Sequence, residues 1–159
     1  MKKKIRFAIF YLLLPFTITL PILLLSNYAP HTPYNDYWIH FFIPFLNMDS
    51  LGELHSVILY KSNEHYIVFP QILYLLNIYL TNGSNVGLYF INYFLCIPTV
   101  FFLYNSFKYI FIKEIYRIIL LTIITYFVFA PISAHNWVLS MSGVAWFSAN
   151  LFFAFSLYL

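Results

Sequence analysis

The sequence predicts an all-α, polytopic transmembrane helical bundle, and three observations carry that expectation. Of 159 residues, 62% are hydrophobic and 8% charged, against roughly 45–50% and about 25% in ordinary globular domains. Uncharged apolar runs recur along the chain, and the few charged residues sort by sign between the segments joining them. So few charges cannot cover a water-soluble enzyme of this size, and nothing is polar enough to stay disordered. The single cysteine, Cys96, excludes a disulfide framework and a cysteine-based zinc site. The 15 Tyr and 19 Phe suit interfacial positions.

The first run, residues 7–26, is 20 residues long and uncharged, which matches the roughly 30 Å hydrocarbon core. Met1-Lys2-Lys3-Lys4-Ile5-Arg6 precedes it. A basic start also opens secretory signal peptides. This run is long for one, however, and no small-x-small site follows in Ser26-Asn27-Tyr28-Ala29. It reads as an uncleaved anchor with a cytoplasmic N-terminus, bent at Pro15 and Pro21.

Ile67–Leu80, Val86–Phe107, Ile118–Pro131 and Val144–Leu159 follow. If all crossed, Lys108, Lys113 and Arg117 would lie outside, against the positive-inside bias. Ile67–Leu80 is the weak member, with 14 residues and Pro70; runs that short are more often interfacial or re-entrant. Gln71, Asn77 and Thr81 point the same way, to a helix lying at headgroup level. The spans are then about 7–26, 86–107, 118–131 and 144–159, with an outer loop 27–85, all in one membrane domain, 1–159. Inside lie Lys2, Lys3, Lys4, Arg6, Lys108, Lys113 and Arg117 against Glu114; outside lie Asp36, Asp49, Glu53 and Glu64 against Lys61. A plasma membrane of bacterial type, with the chain multi-pass, is the expected location. Leu159 ends an apolar run without a charged flank, so the chain is expected to be the N-terminal part of a longer protein.

Four of the five acids and four histidines, His31, His40, His55 and His65, fall in residues 27–85, and His135 falls in the next outward turn. Wet loops are polar anyway. Here the polar groups interleave with aromatics, as in Tyr34-Asn35-Asp36-Tyr37-Trp38-Ile39-His40, a pattern that lies down on a bilayer. Asp36 and His40 are four apart and share a helix face. They could orient a base or hold a divalent ion, but two ligands are too few for zinc, and a satisfied surface pair is the commoner outcome. Glu64-His65 divides evenly between chemistry and a helix start capped by Asn63. Asn82-Gly83-Ser84-Asn85 reads as a turn. Cys96 reads as a buried small hydrophobe. No phosphate loop, Ser/His/Asp signature or nucleic-acid module is present. Spans clean of charge weigh against a carrier.

This order of parts resembles the N-terminal module of the multi-pass GT-C glycosyltransferases, which use lipid-linked sugars. The basic start, one span and a long outer loop come first, with Asp36 early in it, in Tyr34-Asn35-Asp36-Tyr37-Trp38. Asn63-Glu64-His65-Tyr66-Ile67-Val68-Phe69-Pro70 stands where that class opens a juxtamembrane helix, and Thr81-Asn82-Gly83-Ser84-Asn85 stands where it closes one. Two departures matter: Asp36 lacks an adjacent second acid, and Glu64-His65 replaces His-Pro-Pro. The resemblance implies transfer of a sugar from a polyprenyl-phosphate donor to an envelope acceptor on the outer face. It implies Asp36 as the catalytic base, assisted by Glu64, with Lys61, His65 and His40 binding substrate. Segments 34–46 and 67–81 would grip the donor's lipid. The implied partners are the bilayer and the lipid-linked donor, not nucleic acid. No cofactor or metal site is expected, and a divalent-metal requirement is left open. A non-catalytic envelope assembly or export subunit, or a transporter fragment, is the alternative.

Overall fold

The computed structural model describes residues 13–23, 27, 41, 43–59, 61–62, 65–130 and 140–159. These are helical apart from one small ladder. The elements are α1 (Leu13–Leu23), α2 (Ile43–Leu46), α3 (Leu54–Ile58), β1 (Lys61–Ser62), β2 (His65–Tyr66), α4 (Val68–Thr81), α5 (Asn85–Phe107), α6 (Glu114–Val128) and α7 (Ser140–Tyr158). The antiparallel ladder pairs Lys61 with Tyr66 and Ser62 with His65, two residues on each side, and the all-α expectation holds.

Local chemistry explains the boundaries. In α4 the first intrahelical bond runs from Gln71 N–H to Ile67 C=O at 3.0 Å. Pro70 therefore sits in the first turn, where its missing N–H has no intrahelical acceptor to serve. The helix cap is Ile67, with no side-chain cap bond, and this overturns the idea that Asn63 caps it. The far end closes at Asn82 (φ 54°) and Gly83 (φ 74°), residue types that tolerate left-handed backbone. Ser84 then caps α5, its hydroxyl accepting from Val86 N–H at 3.3 Å. The turn expected at residues 82–85 is thus present.

α5 matches the expected span to within one residue. With the 3₁₀ turn Lys108–Ile110 it forms a continuous rod, Asn85–Ile110, of 26 residues, and among the described residues it is the one helix long and apolar enough to cross a membrane. At about 1.5 Å per residue it is roughly 39 Å long. α6 has 15 residues, roughly 22 Å. It starts four residues earlier than expected because its first turn accommodates Glu114, an acid favoured at a helix N-terminus. It stops before Ala130, the residue preceding Pro131 and so biased away from helix. α7 likewise begins at Ser140 rather than near residue 144.

α5 is the hub. α7 runs parallel to it: Val144 packs with Leu88 in one cluster that also contains Phe41, Val57, Tyr74 and Leu75. Lower down, Phe102 meets Phe155 with ring centres 5.1 Å apart. α6 returns antiparallel, placing Phe129 on Tyr93 at 5.3 Å and the Val128 carbonyl 3.8 Å from Cys96 Sγ. Cys96 is fully buried, as expected of a small hydrophobe.

α4 corrects the sequence reading. It does not lie across the bundle but stands against α5 as the other arm of an antiparallel hairpin. Asn77 and Thr81 crowd Gly87 near the turn, while Phe69 and Leu73 pack on the cluster of Tyr93, Leu95 and Cys96. Phe69 also meets Phe152 of α7, with ring centres 5.0 Å apart. The polar residues taken as a headgroup face point inward: Gln71 and Asn77 are both buried, while Ile72, Leu76, Tyr79 and Leu80 are exposed.

Candidate functional site

Of the residues expected to carry chemistry, Asp36, His40 and Glu64 lie outside the described residues. Lys61 and His65 are placed on adjacent rungs of the ladder, opposite Tyr66 and Ser62 respectively. The ladder delivers the chain into α4 with one intervening residue, Ile67. Upstream, Asp49, Glu53 and His55 are exposed around a short turn and α3. His55 Nδ1 lies 2.8 Å from the Gly52 carbonyl. A carbonyl only accepts, so Nδ1 carries the proton and Nε2 keeps the lone pair in the neutral ring. The Ser56 hydroxyl donates to Glu53 C=O at 2.6 Å. Among the described residues no three His, Cys, Asp or Glu side chains come together as a metal site would require.

What the helices do assemble is an apolar core with polar side chains buried within it, under an apolar exterior. Gln71, Asn77, Asn85, Asn92, Thr99, Thr125 and Ser148 are all buried. Asn85, Asn92 and Thr99 recur every seventh residue on α5, so they form one inward stripe, a periodicity legible in the sequence but not read there. The hydroxyls are satisfied on their own helices: Thr99 donates to Leu95 C=O at 2.7 Å, Thr125 to Leu121 C=O at 2.8 Å and Ser148 to Val144 C=O at 2.6 Å. Asn85 Nδ2 donates to the Tyr89 hydroxyl at 2.7 Å.

Asn77 is a clasp. Its Nδ2 donates to Ser84 C=O at 3.1 Å, across the turn, and its Oδ1 lies 2.8 Å from the Thr81 hydroxyl. That hydroxyl is shared with the Asn77 backbone carbonyl at 2.9 Å. Gly87 lies directly against the clasp.

The outward faces are apolar. Phe90, Phe94, Ile97 and Phe101 on α5 and Trp146, Phe152 and Phe153 on α7 are exposed, and large apolar side chains exposed in numbers mark a surface that meets something other than water. A groove of about 330 Å³ lies between α4 and α5, lined by Leu73, Leu76, Leu80, Phe90 and Phe94 with Asn77 and Thr81 at its upper end. A second space of about 250 Å³ opens among α1, α5 and α6 beside Ile18, Val100 and Thr125.

The chain matches no protein-family model, and no curated protein or solved structure is similar to it. The described geometry therefore carries the functional reading together with the order of parts in the sequence. Among the described residues one helix is long and apolar enough to cross a bilayer, and large apolar side chains are exposed on it and on its neighbours.

Proposed function

We propose that the chain is a polytopic bundle of the bacterial plasma membrane that takes part in glycosyl transfer on the extracytoplasmic face, from a polyprenyl-phosphate sugar to an envelope acceptor. The membrane half of this reading is supported by the large apolar side chains exposed along α5 and α7, beside one helix long and apolar enough to cross a bilayer. That apolar exterior is the observation that carries it. Helices shorter than about 20 residues take part by packing on α5 and thinning the bilayer locally. The transfer half rests on the layout of the outer segment and its resemblance to lipid-linked-sugar transferases.

In this reading Asp36 removes the acceptor hydroxyl's proton as that oxygen bonds to the sugar's anomeric carbon, and the glycosyl–phosphate bond breaks with the phosphate departing with its electron pair. A positioned base of this kind contributes about 10²–10⁴-fold. Glu64 positions it, and Lys61 with His65 offsets charge on the leaving phosphate. His40 contacts the acceptor. The Asp36→Asn substitution in the full-length protein is expected to abolish transfer from a radiolabelled polyprenyl-phosphate hexose while membrane insertion is retained. Unchanged turnover would remove Asp36 from the mechanism.

A second reading, a non-catalytic envelope assembly or export subunit, is favoured by one specific finding. α4 stands upright against α5, so it does not supply the flat floor for the donor lipid that the resemblance implies. Transfer activity in the wild-type protein separates the two.

A further inference from the structure

The turn that joins α5 to α6 has a composition that the fold alone does not require. Within residues 108–117 it holds three cations, Lys108, Lys113 and Arg117, against the single acid Glu114. Its large apolar residues point away from the protein: Tyr109 is 76% exposed, Ile110 67% and Ile112 92%. Two of the cations are fixed rather than trailing. Lys108 Nζ donates to Asn105 Oδ1 at 2.6 Å and lies 4.8 Å from the centre of the Tyr109 ring. Asn105 is itself anchored, donating from Nδ2 to Phe101 C=O at 2.7 Å. Arg117 Nε donates to Phe111 C=O at 2.8 Å, which pins the guanidinium against the turn, while its terminal nitrogens carry four further N–H donors in a fork that suits phosphate oxygens.

Exposed isoleucines beside a fixed cluster of like charge are unfavourable in water and favourable at one place, the boundary between headgroups and acyl chains. There the apolar tip enters hydrocarbon and the cations meet phosphate. A zwitterionic surface offers the cluster no net charge to neutralise; an anionic one does. We propose that this turn is a docking site for anionic phospholipid headgroups, with Ile112 inserted below them and Lys108, Lys113 and Arg117 around the phosphate. The proposal rests on the membrane reading above and goes beyond it by naming the lipid class and the residues that select it.

The test reconstitutes the full chain, carrying Cys96→Ala and a bimane label on Ile112→Cys, into phosphatidylcholine vesicles. Quenching is then compared between brominated phosphatidylglycerol and brominated phosphatidylcholine. The anionic lipid is expected to be preferred at this position on the order of tenfold, and added salt should reduce the preference. In Lys108→Gln/Lys113→Gln/Arg117→Gln the preference should fall to about unity, and in the single variant Lys113→Gln, at an exposed position, to about half of its starting value. Equal quenching by the two lipids, or a preference that survives the triple substitution, would overturn the site. Quenching by neither lipid would overturn the membrane reading itself, so the two failures are distinguishable.

Discussion

Gly87→Ala probes a close contact between α4 and α5. A β-carbon at this buried position would meet Asn77 Oδ1, Thr81 Oγ1 and, at 2.7 Å, Thr81 Cγ2. Neither side chain has room to yield without releasing a hydrogen bond. Asn77 would give up its bond to Ser84 C=O, 3.1 Å long, and Thr81 its 2.8 Å approach to Asn77 Oδ1. Two such losses cost about 1 kcal/mol each, and forcing the helices apart adds about 1–3 kcal/mol. Alanine's better helix propensity returns about 1 kcal/mol. The net expectation is a loss of about 2–4 kcal/mol, or roughly 4–16 °C in Tm for a chain of this size. Thermal unfolding of the detergent-solubilised chain measures it. Gly52→Ala is the control, because a β-carbon there meets only Ser50 Oγ at 3.5 Å, an ordinary contact. Adding Asn77→Ala to Gly87→Ala should cost less than the sum of the two single changes, since they remove the same clasp. If Gly87→Ala melted with Gly52→Ala, the hairpin packing inferred here would be refuted.

Other perturbations separate the parts of the argument. Asn77→Ala should cost about 2 kcal/mol, because it removes a bond that spans the turn, whereas Ser148→Ala and Thr125→Ala should stay within about 0.5 kcal/mol, each hydroxyl being bonded only to its own helix; denaturant titration in mixed micelles ranks them. Phe94→Lys puts a charge on the exposed face of α5 and should raise the cost of bilayer insertion by about 3 kcal/mol. A translocon reporter reads that change, and unaltered insertion would mean this face does not meet lipid. In whole cells a membrane-impermeant maleimide should label Ser84→Cys but not Ile112→Cys, both in a Cys96→Ala background. The reverse pattern would invert the proposed orientation.

The sequence made some features legible and hid others for identifiable reasons. α5 was found to within a residue because its run lacks charge and is bounded by Asn82-Gly83-Ser84 on one side and Lys108 on the other. Those boundaries are local chemistry, and local chemistry is what a sequence displays. The posture of α4 was not legible. Its buried Gln71 and Asn77 look like a wet face when hydropathy alone is read, because an amide facing a helix neighbour and an amide facing water leave the same mark. The discriminating fact, Gly87 set against Asn77 and Thr81, joins residues on two helices through close approach, and no spacing rule within one helix reveals it. The ladder at residues 61–66 was missed for a related reason. Two-residue strands show no alternation to read, and the pairing arises from chain reversal ahead of α4. Of the candidate site residues, only Lys61 and His65 fall in described structure. Their neighbouring rungs come from that pairing, not from the sequence distance that first set them in one motif.

In the proposed membrane reading, the packing of α4 along α5 bears on which side the acids occupy. A crossing at this point would exchange the two faces and place Lys108, Lys113 and Arg117 outside. Length argues against a crossing. α4 has 14 residues, roughly 21 Å, and its lower end, at Phe69, meets Phe152 partway along α7 instead of reaching the level of Phe102, Phe155 and Tyr158 near the ends of α5 and α7. The α5 rod, roughly 39 Å long, exceeds the hydrocarbon core by about 9 Å. Its first turns, and with them the clasp at Asn77 and Ser84, can therefore stand in the headgroup layer while α4 dips alongside and stops short of the other face. If the chain ahead of α4 makes the descent and α4 the return, the segment enters and leaves by the same face and preserves the parity of every later span. The segregation of charge then follows from a re-entrant α4 as well as it would from a flat one, and the residue that decides between a dip and a crossing is Ser84.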